Sequence, residues 1–185
     1  MDQPAEQLNH DGVGLRRWRA DDADEVLRAI AESREHLAPW MPWASGDYDR
    51  DSAVQYLTRC ESDWRNGDAF NYAILSEEGG IVGCCCLMAR IGPGGLEIGY
   101  WLHHAHTGRG IATRAAAALT DEAFRIGAQR VEIVHDTANV RSRAVPERLG
   151  FTEVERRAPE ESTSSAQDGV ELVWRRVATA CAGER

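Results

Sequence analysis

The stretch that most limits how this chain can fold runs from Gly95 to Leu119, GLEIGYWLHHAHTGRGIATRAAAAL. It reads as a strand ending in an aromatic pair, a short histidine loop, a Gly-Arg-Gly turn and a long Ala-rich helix. Gly127 ends that helix, and Arg130 to His135, with Val131, Ile133 and Val134, reads as a compact buried strand. A strand-helix-strand crossover makes the two strands parallel. The turn also carries chemistry, because the first N–H groups of a helix have no intrahelical acceptor and form a site for phosphate. Gly108 and Gly110 permit close backbone approach, Arg109 adds charge, and Thr113 offers a hydroxyl one turn in. The turn is neither a Walker loop nor a dinucleotide fingerprint, since no Gly-Lys-Ser/Thr and no Gly-x-Gly-x-x-Gly occurs there. A plain helix start is the alternative reading.

Around this stretch the periodicity predicts a strand at Val13 to Trp18, a helix over about 21 to 36 with Asp21 as its cap, and a helix from Asp49 or Asp51 to just before Gly67. Ala69 to Leu75 and Ile81 to Arg90, joined by Glu-Glu-Gly-Gly, predict an antiparallel hairpin that continues into Leu96 to Leu102. A helix over Asn139 to Leu149 is followed by strands from Gly150-Phe151 to about Arg157 and from Val170 to Val177, with Pro159 to Gly169 as a flexible tip between them. Residues 1–12 read as a loose arm, 13–177 as one domain, and 178–185 as a frayed tail.

The full chain has 185 residues and a net charge of −9. Such a surface disfavours nucleic acid and suits cationic substrates. No apolar run approaches the roughly 20 residues that span a bilayer, so the expectation is a cytoplasmic protein. Five cysteines, Cys84, Cys85 and Cys86 adjacent, read as small buried apolar residues rather than a metal cluster.

Three ordered segments carry a resemblance. Thr107 to Ala112 resembles the coenzyme A pyrophosphate loop of the GCN5-related N-acetyltransferases, written Arg/Gln-x-x-Gly-x-Gly/Ala, with Thr107 where Arg or Gln is usual. Asn139 to Phe151 is similar to the family's Asn-x-x-Ser…Leu-Gly-Phe segment. Leu37-Ala-Pro-Trp40-Met-Pro-Trp43 is similar to the Leu-x-x-Trp-x-Pro-Trp run of the branch that acetylates ribosomal-protein N-termini. The resemblance implies a mixed α/β fold, with a twisted sheet of roughly six to seven strands and about four helices on its faces. It also implies acetyl-CoA as co-substrate and a primary amine as acceptor. The leading acceptor is a protein N-terminus, and the alternatives are a small-molecule amine such as an amino acid or antibiotic, or a catalytically silent acyl-CoA-binding module. A homodimer is left open.

Residue by residue, the resemblance implies pyrophosphate on the amides of Gly108, Arg109, Gly110, Ile111, Ala112 and Thr113. Pantetheine would lie between two splayed strands, held by backbone groups of Trp101, Leu102 and His103 and by Asn139, which also reads as a helix cap. Glu97 is the candidate base, with solvent exposure or an arginine pair as its other reading. The family's tyrosine acid is missing, with Pro146 in its neighbourhood; the resemblance to the ribosomal-protein branch implies Ser142 as the candidate hydrogen-bond donor to sulfur. Trp40 and Trp43 either wall an acceptor pocket or plug one end of the core. His103, His104 and His106 share one short loop without a distant partner, so no metal is expected and proximity to the phosphates is the better use for them.

Overall fold

The computed structural model describes residues 1–159 and 164–179. Its centre is the predicted crossover: β5 (Gly95–Leu102), α4 (Ile111–Arg125) and β6 (Arg130–Asp136). β5 and β6 are parallel, but their register runs only from Gly95 opposite Arg130 to Ile98 opposite Ile133. Beyond Ile98 and Ile133 the strands diverge and leave a gap in the sheet.

On the far side of β5 lie β4 (Ile81–Met88), β3 (Ala69–Leu75), β2 (Val13–Arg17) and β1 (Gln7–His10), each antiparallel to its neighbour. Beyond β6, β8 (Glu171–Val177) pairs antiparallel, with β7 (Thr152–Arg157) outside it. The sheet therefore has eight strands, more than the six to seven expected. The additional strand is β1. Residues 1–12, expected as a loose arm, hold it against β2, and the Ala5 carbonyl accepts the Tyr72 hydroxyl at 2.8 Å. Its sequence QLNH has one apolar residue, and pairing with β2 together with packing of Leu8 on the core orders it. The expected tip at 159–169 and tail at 178–185 fall partly outside the described residues.

Helices cover both faces. Alternate residues of a strand face opposite sides, and in β5 Leu96, Ile98 and Leu102 pack with Ala115, Leu119 and Ala123 of α4. Trp101 packs instead with Val26 and Ile30 of α1 (Ala23–Glu32) and Leu57 and Cys60 of α3 (Arg50–Asn66). Asp49 caps α3 by accepting the Ser52 N–H at 2.8 Å, and Gly67 ends it in the left-handed region at φ 79°. The single helix predicted over 21–36 is two, α1 and the short α2 (Arg34–Leu37), divided at Ser33. Ser33 is buried and its hydroxyl accepts the His104 N–H at 3.1 Å, which ties the helix break to the loop after β5. α5 (Val140–Arg148) follows β6. Among the described residues no helix is long and apolar enough to cross a membrane.

Candidate active site

The gap between β5 and β6 opens into a slot of about 710 Å³, lined by Gly99 to Leu102, Val134 to Asp136, the start of α4, and Asn139 and Ser142 of the α5 end. A second cavity of about 680 Å³ lies on the α1/α3 face, lined by Trp40, Trp43, Tyr48, Gln55, Arg59, Asn71 and Cys86 among others. Trp40, Met41, Met88, Arg90, Gly99, Tyr100 and Trp101 line both, so the two cavities meet at the β5 backbone. Gly99 keeps the junction clear. A Cβ there would lie 3.1 Å from both Cys86 Sγ and Met88 Cε, tighter than ordinary contact.

At one end of the slot α4 begins without a side-chain cap. Gly108 and Gly110 sit at φ 74° and 71°, in the left-handed region that favours glycine, and they turn the chain so that the first amides of α4 face the slot. Thr107, Gly108, Gly110, Ile111, Ala112 and Thr113 line it. Uncapped N–H groups at the positive end of a helix dipole fit a diphosphate. Arg109 departs from expectation: its side chain lines a separate cavity with His103, His106 and Arg114, and its carbonyl accepts from Arg114 at 3.0 Å. The φ values of the flanking glycines turn the residue between them away from the slot.

The expected backbone contacts of Trp101 and His103 also need correction. The His103 N–H is donated to the Val82 carbonyl at 2.8 Å. Peptide groups of an antiparallel strand alternate in direction, and with Trp101 opposite Cys84 those of Trp101 point to β4 as well. The groups left facing the slot belong to Tyr100 and Leu102. The His103 ring is held too, with Nε2 2.9 Å from Glu32 and Nδ1 accepting the Ala105 N–H, so Nε2 carries the proton. His103 and His106 therefore line the third cavity and not the phosphate end of the slot. Among the described residues no group of three His, Cys, Asp or Glu side chains is placed to hold a metal.

Glu97 lines the slot with a side chain 5 % exposed. Of its two readings, the arginine pair is the one formed: Arg90 Nε meets Oε2 at 3.0 Å and Nη2 meets Oε1. The two side chains meet because Glu97 faces Met88 across the ladder, two residues from Arg90.

Asn139 caps α5, its Oδ1 accepting the Ser142 N–H at 3.1 Å. Ser142 has a partner that sequence reasoning missed: its Oγ lies 2.9 Å from the Tyr100 hydroxyl, whose single proton is shared between that oxygen and the Ser142 carbonyl at 3.2 Å. Pro146 explains this second bond. It sits inside α5 and has no N–H to give the carbonyl four residues back, which is that of Ser142. A phenol therefore stands beside Ser142, and it comes from β5 and not from α5. Burial pushes Tyr100 up to about 12, despite the hydrogen bond to Ser142, so it stays protonated at neutral pH. The only sequence signal was a tyrosine at a strand end beside a glycine.

At the far wall His135 is buried between two partners. Its Nδ1 donates to the Asp136 carbonyl at 2.8 Å, and its Nε2 accepts the Trp174 indole N–H at 2.9 Å. Asp136 in turn accepts the N–H groups of Ala138, Asp168 and Gly169, which pins the segment before β8 beside the slot.

In the second cavity the Trp43 ring stands 6.2 Å from Trp101 and 6.0 Å from Tyr48. Trp40 lines both cavities and Trp43, 45 % exposed, lines the second, so these tryptophans wall a pocket rather than plug the core. Cys60, Cys84 and Cys85 are buried, and burial raises their thiols well out of the reactive range.

The fold recurs in known proteins. The Bacillus subtilis (strain 168) protein named Putative ribosomal N-acetyltransferase YdaF is 32% identical over 150 residues, which cover 76% of this chain and 78% of that protein. The solved structure of Mycobacterium smegmatis RimJ in complex with CoA-disulfide superposes with a TM-score of 0.82 at 27% identity, covering 93% of this chain and 86% of that one. The ribosomal-protein-S5-alanine acetyltransferase from Vibrio fischeri shares the fold, with a TM-score of 0.79 at 19% identity and coverage of 92% and 96%. A family model described as Acetyltransferase (GNAT) domain matches residues 13–152, and with the split parallel pair, the uncapped helix and the second cavity meeting it at Gly99, the chain belongs to that acetyltransferase family.

Proposed function

We propose that the protein transfers an acetyl group from acetyl-CoA to an α-amine, most simply the N-terminal amine of a protein, with a free small-molecule amine as the second reading. The observation that carries this is the meeting of two cavities at Gly99, one suited to a long anionic thioester and one open to an acceptor. Acetyl-CoA supplies the activated acetyl group. The first amides of α4 would hold its diphosphate, and the peptide groups of Tyr100 and Leu102 would hold the pantetheine arm between β5 and β6. That RimJ binds a CoA disulfide and YdaF is named for a ribosomal substrate supports this reading. A cytoplasmic location goes with it.

Transfer forms a C–N bond, breaks the C–S bond, and needs one proton removed from nitrogen and one delivered to sulfur. Ser142 serves the second need: its hydroxyl, oriented by Tyr100, would donate to sulfur as charge appears there. Glu97 has both oxygens engaged by Arg90, so we assign it to holding that guanidinium at the junction and leave the ammonium proton to water. The charged side chains lining the second cavity are Arg59 and Arg90, and cationic walls disfavour an ammonium. This selects α-amines. With ordinary pKa values near 7.8, roughly a seventh of an α-amine is neutral at pH 7, against roughly one part in 2,500 of a lysine side chain. Mass spectrometry of acetylated peptides bearing one N-terminal amine and one lysine tests the assignment: acetyl on the N-terminus is expected, and acetyl on the lysine alone would overturn it.

A further inference from the structure

The charge of the acceptor cavity runs opposite to that of the whole protein. The chain carries 21 basic and 30 acidic side chains, which points to cationic partners. Yet among the described residues the charged groups lining this cavity are Arg59 and Arg90, and the rest of its polar lining is neutral, with Gln55 and Asn71 beside Tyr48. The two arginines are not equivalent. Arg90 shares its charge with Glu97 at the junction. Arg59 stands exposed on α3 without an ion pair or side-chain hydrogen bond among the described residues, so its charge is uncompensated at the cavity wall.

We infer that the acceptor carries a carboxylate close to its reacting amine, with the amine at Gly99 and the carboxylate at Arg59. This rests on the acetyl-transfer reading. Gly99 and Arg59 line the same cavity of about 680 Å³, and an extended peptide advances about 3.5 Å per residue, so acidic side chains at the second and third positions of an N-terminus follow the reacting amine into that cavity. The α-carboxylate of a free amino acid is the other source of the same chemistry. A guanidinium at the rim of an aromatic-walled cavity pairs with a carboxylate on the acceptor, so it discriminates among acceptors and not for the cofactor.

The test compares kcat/KM for matched peptides beginning Ser-Asp-Asp, Ser-Asn-Asn and Ser-Lys-Lys, and for free serine and aspartate, in the wild type, Arg59→Gln and Arg59→Glu. The wild type is expected to favour the acidic peptide over the neutral one by roughly tenfold, about 1.4 kcal/mol. Arg59→Gln should erase the preference and Arg59→Glu should invert it. Free amino acids outpacing every peptide, with the same dependence on Arg59, would support the carboxylate and identify a small molecule as its source. Equal rates on acidic and neutral peptides, or a preference untouched in Arg59→Glu, would overturn the inference while leaving acetyl transfer intact. Failure to acetylate any of these amines, with coenzyme A still bound, would overturn the underlying reading and the inference with it. Since Arg59 is exposed, both variants should melt with the wild type.

Discussion

The two cavities either side of β5 are built from different materials. In the slot between β5 and β6 the groups suited to the cofactor are backbone: the amides opening α4, the outward peptide groups of Tyr100 and Leu102, and glycines at positive φ. The second cavity, proposed for the acceptor, is side chain, with Trp40, Trp43, Tyr48, Arg59 and Arg90 on its wall. Backbone groups hold one ligand well and cannot be changed by most substitutions. A wall of side chains can be rebuilt residue by residue, so relatives with one cofactor can serve different acceptors. The difference predicts which substitutions abolish binding and which redirect it.

The largest effect is expected from Ala112→Asp. A carboxylate at the third cofactor-facing amide would stand beside the diphosphate, and two charges about 5 Å apart at an effective dielectric near 20 repel by about 3 kcal/mol. Coenzyme A affinity measured by calorimetry should fall by roughly 10²-fold or more. Unchanged affinity in a folded variant would remove the slot from the cofactor's path.

Next comes Gly99→Val, aimed at the junction. The added branches would press on Cys86 Sγ and Met88 Cε and fill the opening through which amine and thioester meet. Turnover should fall by roughly 10- to 100-fold with coenzyme A affinity little altered, since the amides of α4 are remote from it. Loss of cofactor affinity instead would mean that Gly99 belongs to the slot alone.

That contrast also explains what the sequence made legible. The turn before α4 was readable because glycines at 108 and 110 before an Ala-rich helix encode its backbone geometry locally. The caps at Asp49 and Asn139 were readable for the same reason. Side-chain partnerships were not. Tyr100 and Ser142 are 42 residues apart, and their contact depends on β5 and β6 diverging. Glu97 could be assigned to Arg90 only with the register of β4 in hand. The direction of the Arg109 side chain turns on the φ values around it, and the reversal of charge in the acceptor cavity cannot be seen in a net charge summed over the chain.

A smaller effect separates Ser142 from Tyr100. Ser142→Ala should lower turnover by roughly tenfold with little change in coenzyme A affinity. If Tyr100 acts by orienting Ser142, Tyr100→Phe should cost less, and the double variant should match Ser142→Ala alone. Additive losses would show that the phenol serves the reaction independently. Glu97→Gln sharpens the same side of the comparison. An amide still accepts from Arg90, so a loss below about tenfold, equal at all pH, is expected. A loss near 10²-fold at neutral pH that fades as pH rises would restore Glu97 as the general base.

The smallest predicted effect concerns acid, and it falls on the slot rather than the acceptor cavity. Burial lowers His135 from its ordinary value near 6.5, because charging the ring would desolvate an imidazolium and cost the bond accepted from Trp174. The folded protein therefore binds fewer protons than the unfolded chain as pH drops through 6.5. Stability from this group is complete above that pH and declines below it until the folded ring itself titrates, at no more than about 1.4 kcal/mol per pH unit. On the other side, burial raises Tyr48 to about 12 and lifts Tyr56 well above its ordinary value, so neither responds to acid. His36 and His106 are also lowered by burial and add to the same trend, so His135 must be isolated by substitution. Urea midpoints at pH 7.5 and 5.5 should fall more for the wild type than for His135→Gln, whose side chain cannot be charged. Equal falls would show that the slot wall tolerates an imidazolium, and that its rigidity comes from Asp136 and the N–H groups it collects.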